Sequence, residues 1–417
     1  QQDWVRRLNY LGAAVGGAGR LLKLDADELI AEACAGSGLN DFGDAGWEEP
    51  FRRLVASLEK DVALHTLGRL LTRADLLRAL RNRLFVAAAH RDDPTIAKRN
   101  ITAPLLIAGQ GRTGTSILFE LLALDTRNRA PLAWEAASPV EPPAATLGGT
   151  VTRGQIAETV NEFWVDIQPA ISAAHEYRWD LPVECIRFLD SDFSTDWWAM
   201  LYGAWDWLRW RAEARPRSAY QWHRSILQLL QGQDQHPRRW LLKSPAHLGA
   251  LDQLLAQYPD LLIIHTHRDP LKSAPSTVSL STLMRASRAD GVDPALVAQL
   301  VVGGYSATLR KVIEERLRLE GAPADVANGT IAADRIVDVH FQSLMKNPVT
   351  TIEAVYDRFG LSFHPAFADS IREYLQRKPR GRFGTHSYHP ADYGLSEQGI
   401  RDAFRFYTDH YDIALEH

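Results

Sequence analysis

Apolar residues recur at helical spacing through most of the first ninety positions. The runs "ADELIAEA" (26–33), "EPFRRLVASLEKDVALHTLGRLL" (49–71) and "ADLLRALRNRLFVAAAHR" (74–91) place them three and four apart, which predicts amphipathic helices. "DDPTIAKRNITAP" (92–104) breaks that period with prolines and polar residues and reads as a connector. The pattern then changes. "PLLIAG" (104–109) is a short apolar run bounded by Pro104 and Gly109, as a buried strand would be, and "TSILFELLALD" (115–125) is amphipathic. The same grammar returns three times. "RRWLLKS" (238–244), "LLIIHTH" (261–267) and "RIVDVHF" (335–341) read as strands. Each is followed by a helical run: "AHLGALDQLLAQYP", "DPLKSAPSTVSLSTLMRAS" and "NPVTTIEAVYDRFG". Strands alternating with helices predict an α/β fold, a P-loop-like parallel sheet flanked by helices. Ligands of such sheets sit beyond the carboxyl ends of the strands.

Between the first two strand–helix units lies a mostly helical insertion, about 145–235. It holds nine of the twelve tryptophans when Trp240 just beyond it is counted. Leu201, Trp205 and Leu208 follow helical spacing there, so a packed core is the expected use of these rings, with an aromatic wall over a pocket as the alternative. Residues 1–100 form the N-terminal helical region and 101–417 the main domain.

Composition narrows the function. Of 417 residues 46% are apolar, enough for a sizeable core, and the net charge is −4. No global basic field points to nucleic acid, so an anion site has to be built locally. Two cysteines, Cys34 and Cys185, make no disulfide framework, and no Cys/His spacing matches a zinc site; no metal is expected. No run approaches the ~20 apolar residues of a membrane span. The first residues, "QQDWVRRLNY", carry no signal-peptide core, and a reducing, cytoplasmic setting is expected.

The chemistry gathers at the predicted strand ends. "GQGRTGTS" (109–116) has the glycines of a phosphate loop and hydroxyls at a helix start, where backbone N–H groups and the helix dipole favour an anion. A P-loop places lysine directly after its second glycine. Here that slot is Thr115, and the cation, Arg112, lies inside the turn. A metal–triphosphate site is therefore poorly supplied. In "HTHRDPLKSAPS" (265–276), Arg268 ends a strand and Ser276 follows eight residues later on a helix, a second anion grip. In "LLKSPAHL" (241–248), Lys243 ends a third strand and His247 begins the next segment.

Together these motifs resemble the sulfotransferase superfamily that uses 3′-phosphoadenosine 5′-phosphosulfate (PAPS), in its bacterial branch with "RTGT" loops. The resemblance covers residues 104–410 and includes "VHFQSLMKNPVTTIEAVYDRFGLSF" and the C-terminal loop "KPRGRFGTHSYHPADYGL". It implies that Gly111, Arg112, Thr113, Gly114, Thr115 and Ser116 hold the 5′-phosphosulfate. It further implies that Lys243 neutralises the leaving group, that Arg268 and Ser276 bind the 3′-phosphate, and that Lys378, Arg380 and Gly381 complete that grip. The implied reaction moves a sulfuryl group to a hydroxyl of a small molecule and releases 3′,5′-ADP. An aromatic or apolar hydroxyl is the favoured acceptor, with carbohydrate and lipid hydroxyls as alternatives. Two residues compete as base: Glu135, which resembles the glutamate base of some members, and His247, which resembles the histidine of others. Glu135 is favoured, because burial tunes a carboxylate toward neutral pH. The competing classes are a P-loop nucleotide kinase or phosphotransferase and a non-catalytic nucleotide-binding module. The N-terminal helices are available as a homo-oligomer interface.

Overall fold

A computed structural model describes residues 2–141, 152–171, 176, 178–234, 236, 238–320, 335–378 and 388–416. Among the described residues the sheet has five strands: β1 (Leu105–Gly109), β2 (Asn128–Arg129), β3 (Arg239–Lys243), β4 (Leu262–His267) and β5 (Ile336–His340). Their spatial order is β2-β3-β1-β4-β5, and every pairing is parallel. The four expected strands are all present. The short edge strand β2 has no apolar run to announce it, and its two residues pair with Arg239 and Trp240.

Alternation along β1 feeds two cores. Leu105 and Ile107 pack with the helices Thr115–Leu122, Pro348–Arg358 and Pro365–Arg377. Leu106 and Ala108 face the opposite side, with Trp222, Ile226 and Leu230 of the helix Ser218–Gln231 and Leu251 and Leu254 of the helix Leu251–Gln257. The chain leaves β1 toward one side of the sheet and later returns to place β4 on its other side. The carboxyl end of β1 is thus the switch point where an open α/β sheet forms its crevice.

The N-terminal helices and the insertion share one core. Leu29, Phe51, Leu54 and Leu80 pack with Phe193, Trp197, Trp198 and Trp207, and Met284 closes the cluster. The tryptophans of the insertion are therefore chiefly packing residues; Trp198, Trp207 and Trp240 are fully buried. Two helical expectations are broken at identifiable points. The run 49–71 is two helices, Glu48–Asp61 and Thr66–Asp92, because Val62–His65 pairs with the segment after the helix Pro270–Ala286. Leu64 bridges Ala289, and His65 N–H donates to the Arg288 carbonyl at 3.2 Å. Leu201 and Trp205 lie on separate helices, Asp196–Leu201 and Trp205–Ala214, with Gly203 in the break. No described helix is long and apolar enough to cross a membrane.

The clamp at Arg288 gives a direct test of how the N-terminal helices dock. A Cβ at Gly68 would stand 1.7 Å from the Arg288 carbonyl oxygen, which is main chain and has no rotamer to yield. Gly68→Ala is expected to cost about 1–3 kcal/mol, read as a lower denaturant midpoint. An unchanged midpoint would contradict this docking.

Candidate functional site

The loop Gln110–Gly114 turns between β1 and the helix Thr115–Leu122. Two residues take left-handed backbone conformations, Arg112 at φ 70° and Gly114 at φ 90°. Gly114 accommodates this freely; a side chain there would also strike the Phe341 ring at 2.9 Å. Arg112 is held in that conformation from two directions. Its Nε–H donates to Ser276 Oγ at 3.0 Å, and its carbonyl accepts from Arg268 Nη1 at 3.1 Å. Arg268 stacks on the Phe341 ring, 3.9 Å from the centroid. The two anion motifs, far apart in sequence, thus form one cleft.

The cations in that cleft face carboxylates. Arg268 makes a forked pair with Glu416 at 2.8 and 3.0 Å, the bidentate geometry in which guanidinium also takes phosphate. A carboxylate of the chain itself therefore occupies the Arg268 fork. Lys243, 2% exposed at the end of β3, donates to Ser116 Oγ at 3.2 Å and pairs with Glu184. Lys378 closes the helix Pro365–Arg377 and bridges Glu120 at 2.9 Å and Glu176 at 2.5 Å. Burial alone would lower the Lys378 pKa, but hydrogen bonds to Glu176 and Glu120 raise it. Arg380 and Gly381 lie outside the described residues.

Several expected site residues have other work. Thr113 is 1% exposed; its hydroxyl donates to the Gln110 carbonyl at 2.7 Å and meets Thr266 Oγ1 at 2.7 Å, so its side chain braces the loop from inside. Thr115 is also buried, leaving Ser116 as the more accessible hydroxyl at the helix start. Glu135 is 3% exposed and bonded to Arg129 at 3.2 and 2.5 Å, while its Oε2 accepts the Leu132 N–H at 2.8 Å. It closes the first turn of its own short helix and neutralises an arginine that also holds Asp234 at 2.7 Å. His247 is fully buried against Tyr220, 3.1 Å from Nδ1 to the hydroxyl. Burial, His223 and the Lys243 charge press its pKa well down, so it neither reaches solvent nor readily takes a proton.

The residues missed in sequence come from elements without a motif. Glu184 precedes a single 3-10 turn, Cys185–Arg187, in the insertion, and only the fold brings it to Lys243. Tyr305, on the helix Pro294–Glu320, lies over the loop: a Cβ at Gly111 would be 2.8 Å from its hydroxyl. That hydroxyl donates to Thr277 Oγ1 at 3.0 Å, and burial pushes its pKa up to about 12, so it remains a donor.

Comparison with known proteins gives the family and the fold. Residues 104–365 match the family described as "Sulfotransferase family". The chain is 25% identical, over 296 residues, to the omega-hydroxy-beta-dihydromenaquinone-9 sulfotransferase Stf3 of Mycobacterium bovis, covering 68% of this chain and 69% of that protein. The crystal structure of sulfotransferase STF9 from Mycobacterium avium superposes with a TM-score of 0.79 at 25% identity, covering 94% of this chain and 98% of the other. Sulfotransferase STF1 from Mycobacterium tuberculosis gives 0.76 at 26% identity, covering 91% and 98%.

The Arg129–Glu135 pair makes a stability prediction. Removing the Glu135 carboxylate takes its hydrogen bonds from Arg129, which keeps Asp234 as a partner, so the cost is that of lost charged hydrogen bonds, about 1.5–3 kcal/mol. Glu135→Gln is expected to lower the denaturation free energy by that order. A variant as stable as the parent would show that the pair does not hold the fold.

Proposed function

Because the chain belongs to the sulfotransferase family, we propose that it moves a sulfuryl group from PAPS to a hydroxyl of a small apolar acceptor. The observation that carries the donor assignment is the single cleft made by Arg112, Ser276 and Arg268. A donor with anionic groups on both the 5′ and 3′ sides needs two neighbouring cationic grips, and the Glu416 carboxylate on Arg268 fits that chemistry. When bound, PAPS supplies the sulfuryl group and departs as 3′,5′-ADP. Thr115 fills the lysine slot of a nucleotide kinase, which favours this donor over a metal–triphosphate.

The chain's part is positioning and charge. Gly114, Thr115 and Ser116 present the helix start to the 5′ side. Arg112 places a charged fork at the turn, and Lys243, tied to Ser116, neutralises charge on the leaving side. Arg268 and Ser276 hold the 3′ side, with Lys378, Arg380 and Gly381 assigned beside them. Glu184 pairs with Lys243 and its side chain keeps 24% of its surface exposed, so we assign it, in place of Glu135 or His247, as the base that accepts the acceptor's hydroxyl proton. Glu135 is committed to Arg129, and His247 is sealed in the core. The Stf3 relative, named for a sulfotransferase of an omega-hydroxy menaquinone, supports an apolar hydroxyl compound as the acceptor. The half-exposed segment that leads to Glu184, with Trp179 at its start, gives such an acceptor an aromatic approach.

The test has two arms. A ligand of the native state raises its melting temperature. 3′,5′-ADP is expected to do so and Mg-ATP is not; the reverse result contradicts the donor assignment. Glu184→Gln is expected to lower sulfuryl transfer from labelled PAPS by about 10²–10⁴-fold while leaving 3′,5′-ADP affinity nearly unchanged. Near-normal turnover would move the base elsewhere.

A further inference from the structure

Behind the Lys243–Glu184 pair the chain buries three metal-ligating side chains that the proposed reaction leaves unused. Cys185 directly follows Glu184, His247 sits on the 3-10 turn Pro245–Ala250 after β3, and His223 lies on the helix Ser218–Gln231. All three are 0% exposed. One ring nitrogen of each histidine and Cys185 Sγ lie within 4.8 Å of one another. Bonds of about 2.0–2.3 Å from an ion to nitrogen and sulfur close such a triangle after a small inward shift.

The histidines are arranged as ligands are. Each Nδ1 is occupied by a tyrosine hydroxyl, His223 by Tyr258 at 2.8 Å and His247 by Tyr220 at 3.1 Å. Each Nε2 is buried with no hydrogen-bond partner. With Nδ1–H donating to the tyrosine oxygen, Nε2 presents its lone pair, the tautomer that an outer hydrogen bond fixes in metal sites. A buried polar atom without a partner is costly, and two of them on histidines clustered with one buried thiol need an explanation. Burial also keeps both rings neutral, as ligation requires; His223 is pushed down to about 3. The other such cluster among the described residues, His265, His267 and Asp338, is different, because the Arg316 guanidinium already fills it, bonded to Asp338 and His265.

We propose that Cys185, His223 and His247 bind one soft d¹⁰ metal ion, Cu⁺ in preference to Zn²⁺. Thiolate and imidazole donors select ions of this class. Charge separates the two. A thiolate and Cu⁺ sum to zero, whereas Zn²⁺ leaves a net positive charge in a wall made of Phe188, Tyr220, Leu248 and Tyr258, beside the buried Lys243 ammonium. Binding breaks the Cys185 S–H bond and forms a sulfur–metal bond; the proton goes to solvent and nothing is oxidised. Because one proton leaves on binding, affinity is expected to rise with pH. Linear spacing concealed the site because its ligands come from three separate segments. A bound ion would pin Glu184 from behind, since Glu184 directly precedes Cys185, and Lys243 lies four residues before His247.

The experiment uses the full chain carrying Cys34→Ser, which leaves Cys185 as its one thiol. It is titrated anaerobically with Cu⁺ against a chromogenic chelator, and with Zn²⁺ in a parallel arm. One equivalent of Cu⁺ withheld from the chelator, a near-ultraviolet thiolate–metal band and release of one proton are expected. Cys185→Ala should abolish the band and His223→Gln should weaken binding at least tenfold. Identical titrations with and without Cys185 overturn the site, and one equivalent of Zn²⁺ bound with no Cu⁺ overturns the choice of ion. Copper-edge X-ray absorption of the unsubstituted protein provides a check independent of any variant's folding. One sulfur and two nitrogen neighbours support the assignment; a shell without sulfur overturns it.

Discussion

The cleft depends on the turn at Arg112. A residue with a Cβ in the left-handed region costs about 1–2 kcal/mol, and here that conformation is held by Ser276 under the side chain and Arg268 on the carbonyl. The same bonds join strand ends that the chain visits far apart. β1 contributes the loop, β4 contributes Arg268, the helix after β4 contributes Ser276, and Phe341 after β5 closes the side. The central place of β1 in the parallel order makes this convergence possible, because both neighbours deliver their carboxyl ends to one crevice.

Carboxylates set the electrostatic state of that crevice. Lys243 rests on Glu184, Arg268 on Glu416, and Lys378 between Glu120 and Glu176. A chain of net charge −4 has no global pull on an anionic ligand, so attraction must be local. The paired cations are also kept from repelling one another. On the proposed function, an incoming polyanion would exchange with these carboxylates rather than add to bare charge. Such exchange favours ligands whose oxygens match the guanidinium fork over those that merely carry charge. It would also release Glu184 from Lys243 as the site fills, which is when the proposed base is needed.

The sheet was legible because its buried strands are uninterrupted apolar runs, and the anion loop because glycines and hydroxyls stand between a strand and a helix. Ser276 was expected as a ligand of the anion, but its bond to Arg112 was not legible, since that contact belongs to tertiary structure. Glu184 and Tyr305 carried no local signal: one precedes a single turn in the insertion and the other is one aromatic on a long helix. Glu135 has a structural use that the sequence did not announce. An acid three residues into a helix start also caps that helix, and here it pairs with Arg129 as well. The break at Val62–His65 was hidden because the apolar period runs through it, while the partner that unwinds it lies near Ala289.

The central claim is that one cleft reads both ends of a nucleotide carrying 5′ and 3′ phosphates. Titration calorimetry of 3′,5′-ADP and 5′-AMP on the parent and on Arg268→Ala tests it most directly. The account predicts that the parent prefers 3′,5′-ADP by at least about tenfold, roughly one charge-assisted pair, and that in Arg268→Ala the two nucleotides bind equally. Equal affinity of the parent for both nucleotides, or a preference that survives loss of Arg268, would contradict it.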